Sequence, residues 1–355
     1  MPANRFVVRL TLLILLGMCL MKPATAITIS NSVYTLNQAL EDILFPNILP
    51  YDEGYLKVTD LHSLWYAQYG NPKGVPVVVI HGGPGFGCGP NDMRYFDPAY
   101  FRIILFDQRG AKRSKPLGET RENSTETLIE DIETLRAHLN IHQWFVFGGS
   151  WGSALAVLYG EAHPKPCLGF VLRGIFLGRK TEYEQVWYGM KDTFPEEWDE
   201  FQKFLPANER GDLIEAYYKR VMDPDPKIHM PAACAFTKYD ITCASLRPNP
   251  ELLKKILEDD AVVLGQSRIF AYYSKHQFFL NDDRLVNDLS QIQHLPATIV
   301  HGRYDTICRA KSAYELHQKW PGSELVFVQD AGHAAMEPGI ASALIEATEK
   351  VKNKI

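Results

Sequence analysis

The segment Gly148-Gly149-Ser150-Trp151-Gly152 constrains this chain more than any other. It fits the pattern G-x-S-x-G and follows the apolar run Trp144-Phe145-Val146-Phe147. After it, Ala154-Leu155-Ala156-Val157-Leu158-Tyr159 reads as a helix. A strand that turns sharply into a helix through one serine leaves no room for side chains two positions away on either side, and Gly148 and Gly152 meet that demand. Such a turn lifts the serine hydroxyl to the end of the sheet, and the helix start behind it offers unpaired N–H groups to an anion. The bare pattern also occurs in glycine-rich turns, so the surrounding elements and the partners must decide between the two.

A serine hydroxyl is a weak nucleophile at neutral pH and needs a base, itself oriented by a carboxylate. In α/β-hydrolases the chain order is Ser, then Asp or Glu, then His. Downstream, the apolar stretch Ala297-Thr298-Ile299-Val300-His301 runs into Gly302-Arg303-Tyr304-Asp305. A second stretch, Glu324-Leu325-Val326-Phe327-Val328, runs into Gln329-Asp330-Ala331-Gly332-His333. Taken singly, a loop aspartate caps a turn and a loop histidine is an ordinary exposed polar residue. In this order, each just past a strand end, Ser150, Asp305 and His333 are expected to form a catalytic triad. The strand at 75–80 is followed by His81-Gly82-Gly83-Pro84-Gly85, where glycines allow close backbone approach to a substrate. The N–H groups of Gly83 and Trp151 are the expected oxyanion hole.

Strands and helices alternate around these motifs. Strands are predicted near 64–69, 77–80, 102–106 and 170–173. A helix is predicted near 124–139, where Leu128, Ile132, Leu135 and Leu139 make an apolar face and Asn123 with Glu126 marks the start. A closing helix is expected over 339–350. Between about 180 and 288, aromatic and charged residues mix at helical spacing. The fold class expected is α/β: an α/β-hydrolase fold, a mostly parallel sheet with helices on both faces and an inserted helical cap. The division expected is a signal peptide at 1–26, core at 27–179, cap at 180–288 and core again at 289–355. The 355 residues, 46% hydrophobic and 22% charged, suffice for one large core plus such an insertion. The net charge of −5 and the lack of any Lys/Arg-rich run argue against a nucleic-acid partner.

Together, His81-Gly82-Gly83-Pro84-Gly85, Asp107-Gln108-Arg109-Gly110, Gly148-Gly149-Ser150-Trp151-Gly152-Ser153, Val171-Leu172-Arg173-Gly174-Ile175-Phe176, His301-Gly302-Arg303-Tyr304-Asp305 and Gly332-His333 resemble the proline iminopeptidases over roughly residues 50–350. The resemblance implies a serine peptidase that removes N-terminal proline from short peptides, with no metal and no organic cofactor. It also implies cap glutamates that receive the substrate's free amine. The first, in a Trp-Glu-Gly segment of the family, corresponds here to Asp240 within Phe236-Thr237-Lys238-Tyr239-Asp240-Ile241, one methylene shorter. The second follows an Arg-Ile pair, and here Arg268-Ile269 is followed by Phe270. Glu258, Asp259 and Asp260 are nearby acids that could compensate. Asp107-Gln108-Arg109-Gly110 reads as structural, with Arg109 pairing acids to brace the loops of the site.

At the N-terminus, Arg5 and Arg9 precede an apolar run at 10–21 and the small-residue site Ala24-Thr25-Ala26. This reads as a cleaved export signal, too short to span a bilayer. It predicts a periplasmic or secreted protein, or a cytoplasmic one, as is typical of the family, if the segment is not a signal. Past it remain Cys88, Cys167, Cys234, Cys243 and Cys308. Cys234 with Cys243 is a conceivable pair, but scattered buried thiols are the favoured reading, and nothing has metal-ligand spacing. Two rival functions stand beside the peptidase: an esterase or small-amide hydrolase on the same triad, and a non-catalytic binding protein on a hydrolase scaffold. Epoxide hydrolase and dehalogenase chemistry needs an aspartate where Ser150 stands.

Overall fold

The computed structural model describes residues 38–352, so the predicted signal segment lies outside the described residues. The chain divides into two units, Met1–Asp42 and Ile43–Ile355. Of the first, residues 38–42 are helical, with Gln38 Nε2 donating to Asp42 Oδ1 at 3.0 Å. The second unit carries everything that follows.

Its centre is an eight-stranded sheet in the order β1-β2-β4-β3-β5-β6-β7-β8. The strands are β1 (Asp52–Lys57), β2 (Ser63–Gly70), β3 (Val75–Ile80), β4 (Phe101–Phe106), β5 (Trp144–Gly149), β6 (Cys167–Arg173), β7 (Ala297–Gly302) and β8 (Ser323–Val328). From β3 to β8 all are parallel, while β2 runs antiparallel to β4 and β1 to β2. Near-continuous apolar sequences such as VPVVVI and ATIVHG suit strands covered on both faces. β1 escapes the sequence reading because DEGYLK is an exposed edge strand with little apolar content.

Helices cover both faces. α1 (Thr125–His138) carries the predicted apolar stripe, but its cap is Ser124, whose hydroxyl accepts from Thr127 N, and not Asn123. Asn123 is engaged elsewhere: its amide donates to Arg109 O and Glu119 O, and its Oδ1 accepts from Tyr273 OH at 2.9 Å. α2 (Trp151–Ala162) is apolar nearly all round and is correspondingly buried. α10 (Ala310–Lys319) and α11 (Pro338–Val351) flank the last two strands.

Between β6 and β7 the chain leaves the sheet and forms seven α-helices, α3 (Lys180–Glu184), α4 (Pro195–Lys203), α5 (Leu213–Val221), α6 (Pro226–Ala244), α7 (Pro250–Leu257), α8 (Asp260–Lys275) and α9 (Arg284–Asn287). An aromatic cluster packs this insertion: Trp187 lies 5.0 Å from Phe236 and Phe201 stacks on Tyr239 at 4.3 Å. α8 also meets the core backbone to backbone. A Cβ on Gly85 would fall 2.5 Å from Gly265 O, and one on Gly265 3.2 Å from Gly110 O. Cys88, Cys167, Cys234, Cys243 and Cys308 are all free thiols, so Cys234 and Cys243 are not bridged.

Candidate active site

The turn from β5 into α2 places Ser150 at φ 59°, ψ −126°, a conformation that non-glycine residues rarely hold. The glycines around it are sterically obligatory. A Cβ on Gly148 would stand 2.2 Å from Gly152 O, and one on Gly152 2.0 Å from Ile80 O. Ser150 N–H donates to Arg173 O at 2.8 Å, tying the turn to the end of β6.

His333 and Asp305 come together from the loops after β8 and β7. His333 Nδ1 lies 2.8 Å from Asp305 Oδ2, while Asp305 Oδ1 accepts Cys308 N–H at 2.7 Å. Burial alone would raise the Asp305 carboxyl, but the charge and hydrogen bond of His333, with His301 and the Cys308 N–H, hold it below the usual carboxylate value. The carboxylate therefore stays ionised beside the imidazole. His301 is fixed in turn: Ile175 N–H donates to its Nδ1, so its Nε2–H donates to Cys308 O. Gly174, at φ 57°, leaves the imidazole room, since a Cβ there would come within 3.1 Å of His333 Cε1.

Ser150 and His333 face one cavity, although among the described residues no hydrogen bond joins them. The Ser150 hydroxyl faces the Cys308 thiol, which burial pushes well above its ordinary pKa. Catalytic hydrogen bonds are often loose without substrate and tighten around it. A residue given no role by sequence reasoning stands here too. Arg173, at the end of β6, donates from Nη1 to His333 O at 2.8 Å and lies 3.3 Å from His333 Nε2. The available signal was a charged residue closing an otherwise apolar parallel strand at the sheet's C-terminal edge.

The expected oxyanion donors are held by one network. A Cβ on Gly82 would touch Ser150 Cβ at 3.1 Å, so the loop 81–85 runs directly beside the serine. Gly83, at φ 112°, follows, and Trp151 is the first residue of α2, where helix N–H groups lack helical partners. Gln108 links the two. Its Oε1 accepts from Trp151 Nε1 at 2.9 Å, its Nε2 donates to His81 O at 2.8 Å, and its backbone N–H donates to His81 Nε2 at 2.9 Å. His81 Nδ1 sits between Gly82 O at 2.8 Å and the Gly87 N–H at 3.2 Å. Burial lowers His81 to a pKa of about 4, so the ring is neutral. Arg109 pairs with Asp131 at 2.6 and 2.7 Å, a buried brace behind the same loops.

Ser150, His333, Arg173, Asp240, Gln266 and Phe270 line a cavity of about 420 Å³. Asp240 reaches it from α6, accepting Gln266 Nε2–H at 2.6 Å. Burial raises the Asp240 carboxyl to a pKa of about 6, against the lowering effects of His333 and Gln266. Phe270 is buried 5.1 Å from Phe236 and 5.8 Å from Trp187, contributing a wall and no charge. Of the other acids considered, Asp259 lines the cavity but is committed to capping α8 through Ala261 N and Val262 N. Glu258 is 3.8 Å from Lys254 and Asp260 is exposed.

Among the described residues no group of three or more His, Cys, Asp or Glu is placed to hold a metal ion, and no helix is long and apolar enough to cross a membrane. A family profile described as alpha/beta hydrolase fold matches residues 75–339. A proline iminopeptidase of Arabidopsis thaliana is 48% identical over 314 residues, covering 87% of this chain and 82% of the relative. One of Xylella fastidiosa (strain Temecula1) is 42% identical over 308 residues, covering 86% of this chain and 98% of the relative. Among solved structures, an esterase from Exiguobacterium antarcticum aligns with TM-score 0.59 at 18% identity, over 85% of this chain and 100% of that one. A proline iminopeptidase-related protein from Thermus thermophilus aligns with TM-score 0.58, also at 18% identity, over 85% and 97%. These two show the fold alone. With the sheet order, the serine turn and the relatives in agreement, the chain belongs to the α/β-hydrolases and, within them, to the proline iminopeptidases.

Proposed function

We propose that this protein is a serine aminopeptidase that releases N-terminal proline from short peptides through an acyl-enzyme. His333 takes the proton of Ser150 as the hydroxyl attacks the scissile carbonyl, and Asp305 holds the imidazole tautomer and stabilises the imidazolium. The N–H groups of Gly83 and Trp151 receive the oxyanion. His333 returns its proton to the leaving amine, and water repeats the sequence on the acyl-enzyme. Asp240 receives the substrate's ammonium. Residues 180–288 act as the cap that excludes water, and residues 1–26 as a cleaved export signal, which N-terminal sequencing of the mature protein tests.

The observation that carries this reading is the presence of a carboxylate, Asp240, in the same cavity as Ser150 and His333. Asp92 and Asp259 also line it but accept backbone N–H groups, whereas Asp240 accepts from the Gln266 amide and can pair with a substrate ammonium. Phe270 favours the rival reading, an esterase or small-amide hydrolase, because it takes one charge away from the amine site. A non-catalytic binding role leaves the Asp305–His333 pair without purpose. The test is turnover of proline arylamide, its N-acetyl form, alanine arylamide and a p-nitrophenyl ester, with Ser150→Ala as the blank. Preference for free proline arylamide is expected. Ester cleavage without amine preference means the rival is right, and activity in Ser150→Ala means the nucleophile is wrong.

A further inference from the structure

The Asp240 carboxylate has one partner whose own bonding is incomplete. Gln266, on α8, is only 3% exposed. Its amide nitrogen faces Asp240 Oδ2 at 2.6 Å, which fixes the amide's orientation, because an ionised carboxylate only accepts. That leaves Gln266 Oε1 as a buried acceptor with no hydrogen-bond partner among the described residues. A buried carbonyl oxygen without a donor costs free energy and calls for an explanation. Gln266 lines the cavity of Ser150 and His333, one helical turn before Phe270. Its position is firm, since Gly265 beside it is pressed against Gly85 of the oxyanion loop.

We propose that Gln266 is a specificity-determining residue that forms, with Asp240, a carboxylate–carboxamide receptor for a secondary ammonium. An N-terminal proline presents two N–H donors on a ring nitrogen. Asp240 takes one and the charge, and Gln266 Oε1 takes the other. The terminal torsion of glutamine is broad and soft, so the amide tilts toward the ammonium while its nitrogen stays on Asp240. Phe270 supplies the apolar wall for the ring carbons. A site with one charge and two acceptors matches a nitrogen with one charge and two donors, where a primary ammonium keeps a third N–H unpaired. This inference rests on the assignment of Asp240 to the substrate amine.

The test pairs substrates with variants of the full chain. The substrates are proline arylamide, N-methylproline arylamide, which keeps the charge but has one N–H, and p-nitrophenyl acetate, which has no amine. Gln266→Leu is expected to lower kcat/KM for proline arylamide about 10–100-fold relative to the ester, the value of a hydrogen bond to a charged group. It should also erase most of the penalty that N-methylation imposes on the wild type, while Gln266→Glu, which keeps an acceptor, retains that penalty. An equal methylation penalty in the wild type and Gln266→Leu overturns the assignment of Gln266, even if both rates fall. If Asp240→Asn leaves the preference for a free amine intact, the Asp240 reading fails as well. If Asp240→Asn abolishes it and Gln266→Leu changes nothing, only the Gln266 inference fails. Gln266→Leu also removes the amide donor of Asp240, so ester turnover and thermal unfolding are measured on each variant, and retained ester turnover separates these outcomes from misfolding.

Discussion

Gln108 touches no reacting atom in the mechanism above, yet its replacement should slow the chemistry. Gln108→Leu keeps the backbone N–H on His81 Nε2 but removes two side-chain bonds, from Trp151 Nε1 and to His81 O. Trp151 is 1% exposed and His81 5%, so neither orphaned group reaches bulk water. Each unpaired buried group costs about 1–3 kcal/mol, giving a destabilisation of about 2–4 kcal/mol after partial relaxation. The catalytic effect follows from position. The indole anchors Trp151 and His81 O begins the loop that carries Gly83, the two residues proposed to donate to the oxyanion. Outright removal of one oxyanion donor costs about 100–1,000-fold in kcat, so loosening both should cost about 10–100-fold, with KM within about threefold. Steady-state kinetics on proline arylamide, the rate of fluorophosphonate labelling and calorimetric unfolding measure the three quantities. A variant that loses the expected stability while keeping wild-type kcat would refute the idea that this network positions the oxyanion donors.

Asp305→Asn should lower kcat about 10,000-fold with a modest change in KM, because the amide stabilises the wrong imidazole tautomer; stopped-flow acylation checks it. The raised pKa of Asp240, about 6, has a definite sign. Above that pH the group is ionised and attracts an ammonium; below it the group is neutral. The ratio of proline arylamide to ester turnover should therefore fall as pH drops through about 6, and Asp240→Asn should flatten the ratio. Glu161 is raised to about 8 by burial and the nearby Asp288, against Arg284, and its Oε1 has no hydrogen-bond partner among the described residues. A carboxyl with a raised folded-state pKa contributes stability at low pH that is lost as pH rises toward that value. Glu161→Gln should thus raise the unfolding temperature more at pH 9 than at pH 5, by an amount worth about 1–2 kcal/mol at the higher pH.

What could be read in advance followed from how local each constraint is. Ser150 with its two glycines, Asp305 and His333 are each set by a few neighbours and a strand end, so the motif and its order sufficed to bring them into one place. The parallel strands were legible because burial on both faces writes itself as continuous apolar sequence. β1 was not, because an exposed edge strand has no such signature. Ser124 displaced Asn123 as a helix cap because Asn123 is recruited by Tyr273, a residue 150 positions away. Gln108, Arg173 and Gln266 share that character. Their parts depend on partners at 81, 333 and 240, and no spacing rule joins them.

The seam between α8 and the loop 81–87 has a consequence for how such enzymes can be recombined. Gly85 and Gly265 meet with no side chain between them, so neither surface can absorb a misfit by changing rotamer. A chimera cut only at the ends of the helical insertion would bring a foreign α8 onto a native loop and displace a backbone that must stay within tenths of an ångström of its place. Successful exchange of substrate range between relatives therefore requires that the glycine loop after β3 travel with the helix that covers it. The two segments form one heritable unit, although some 180 residues separate them in the chain.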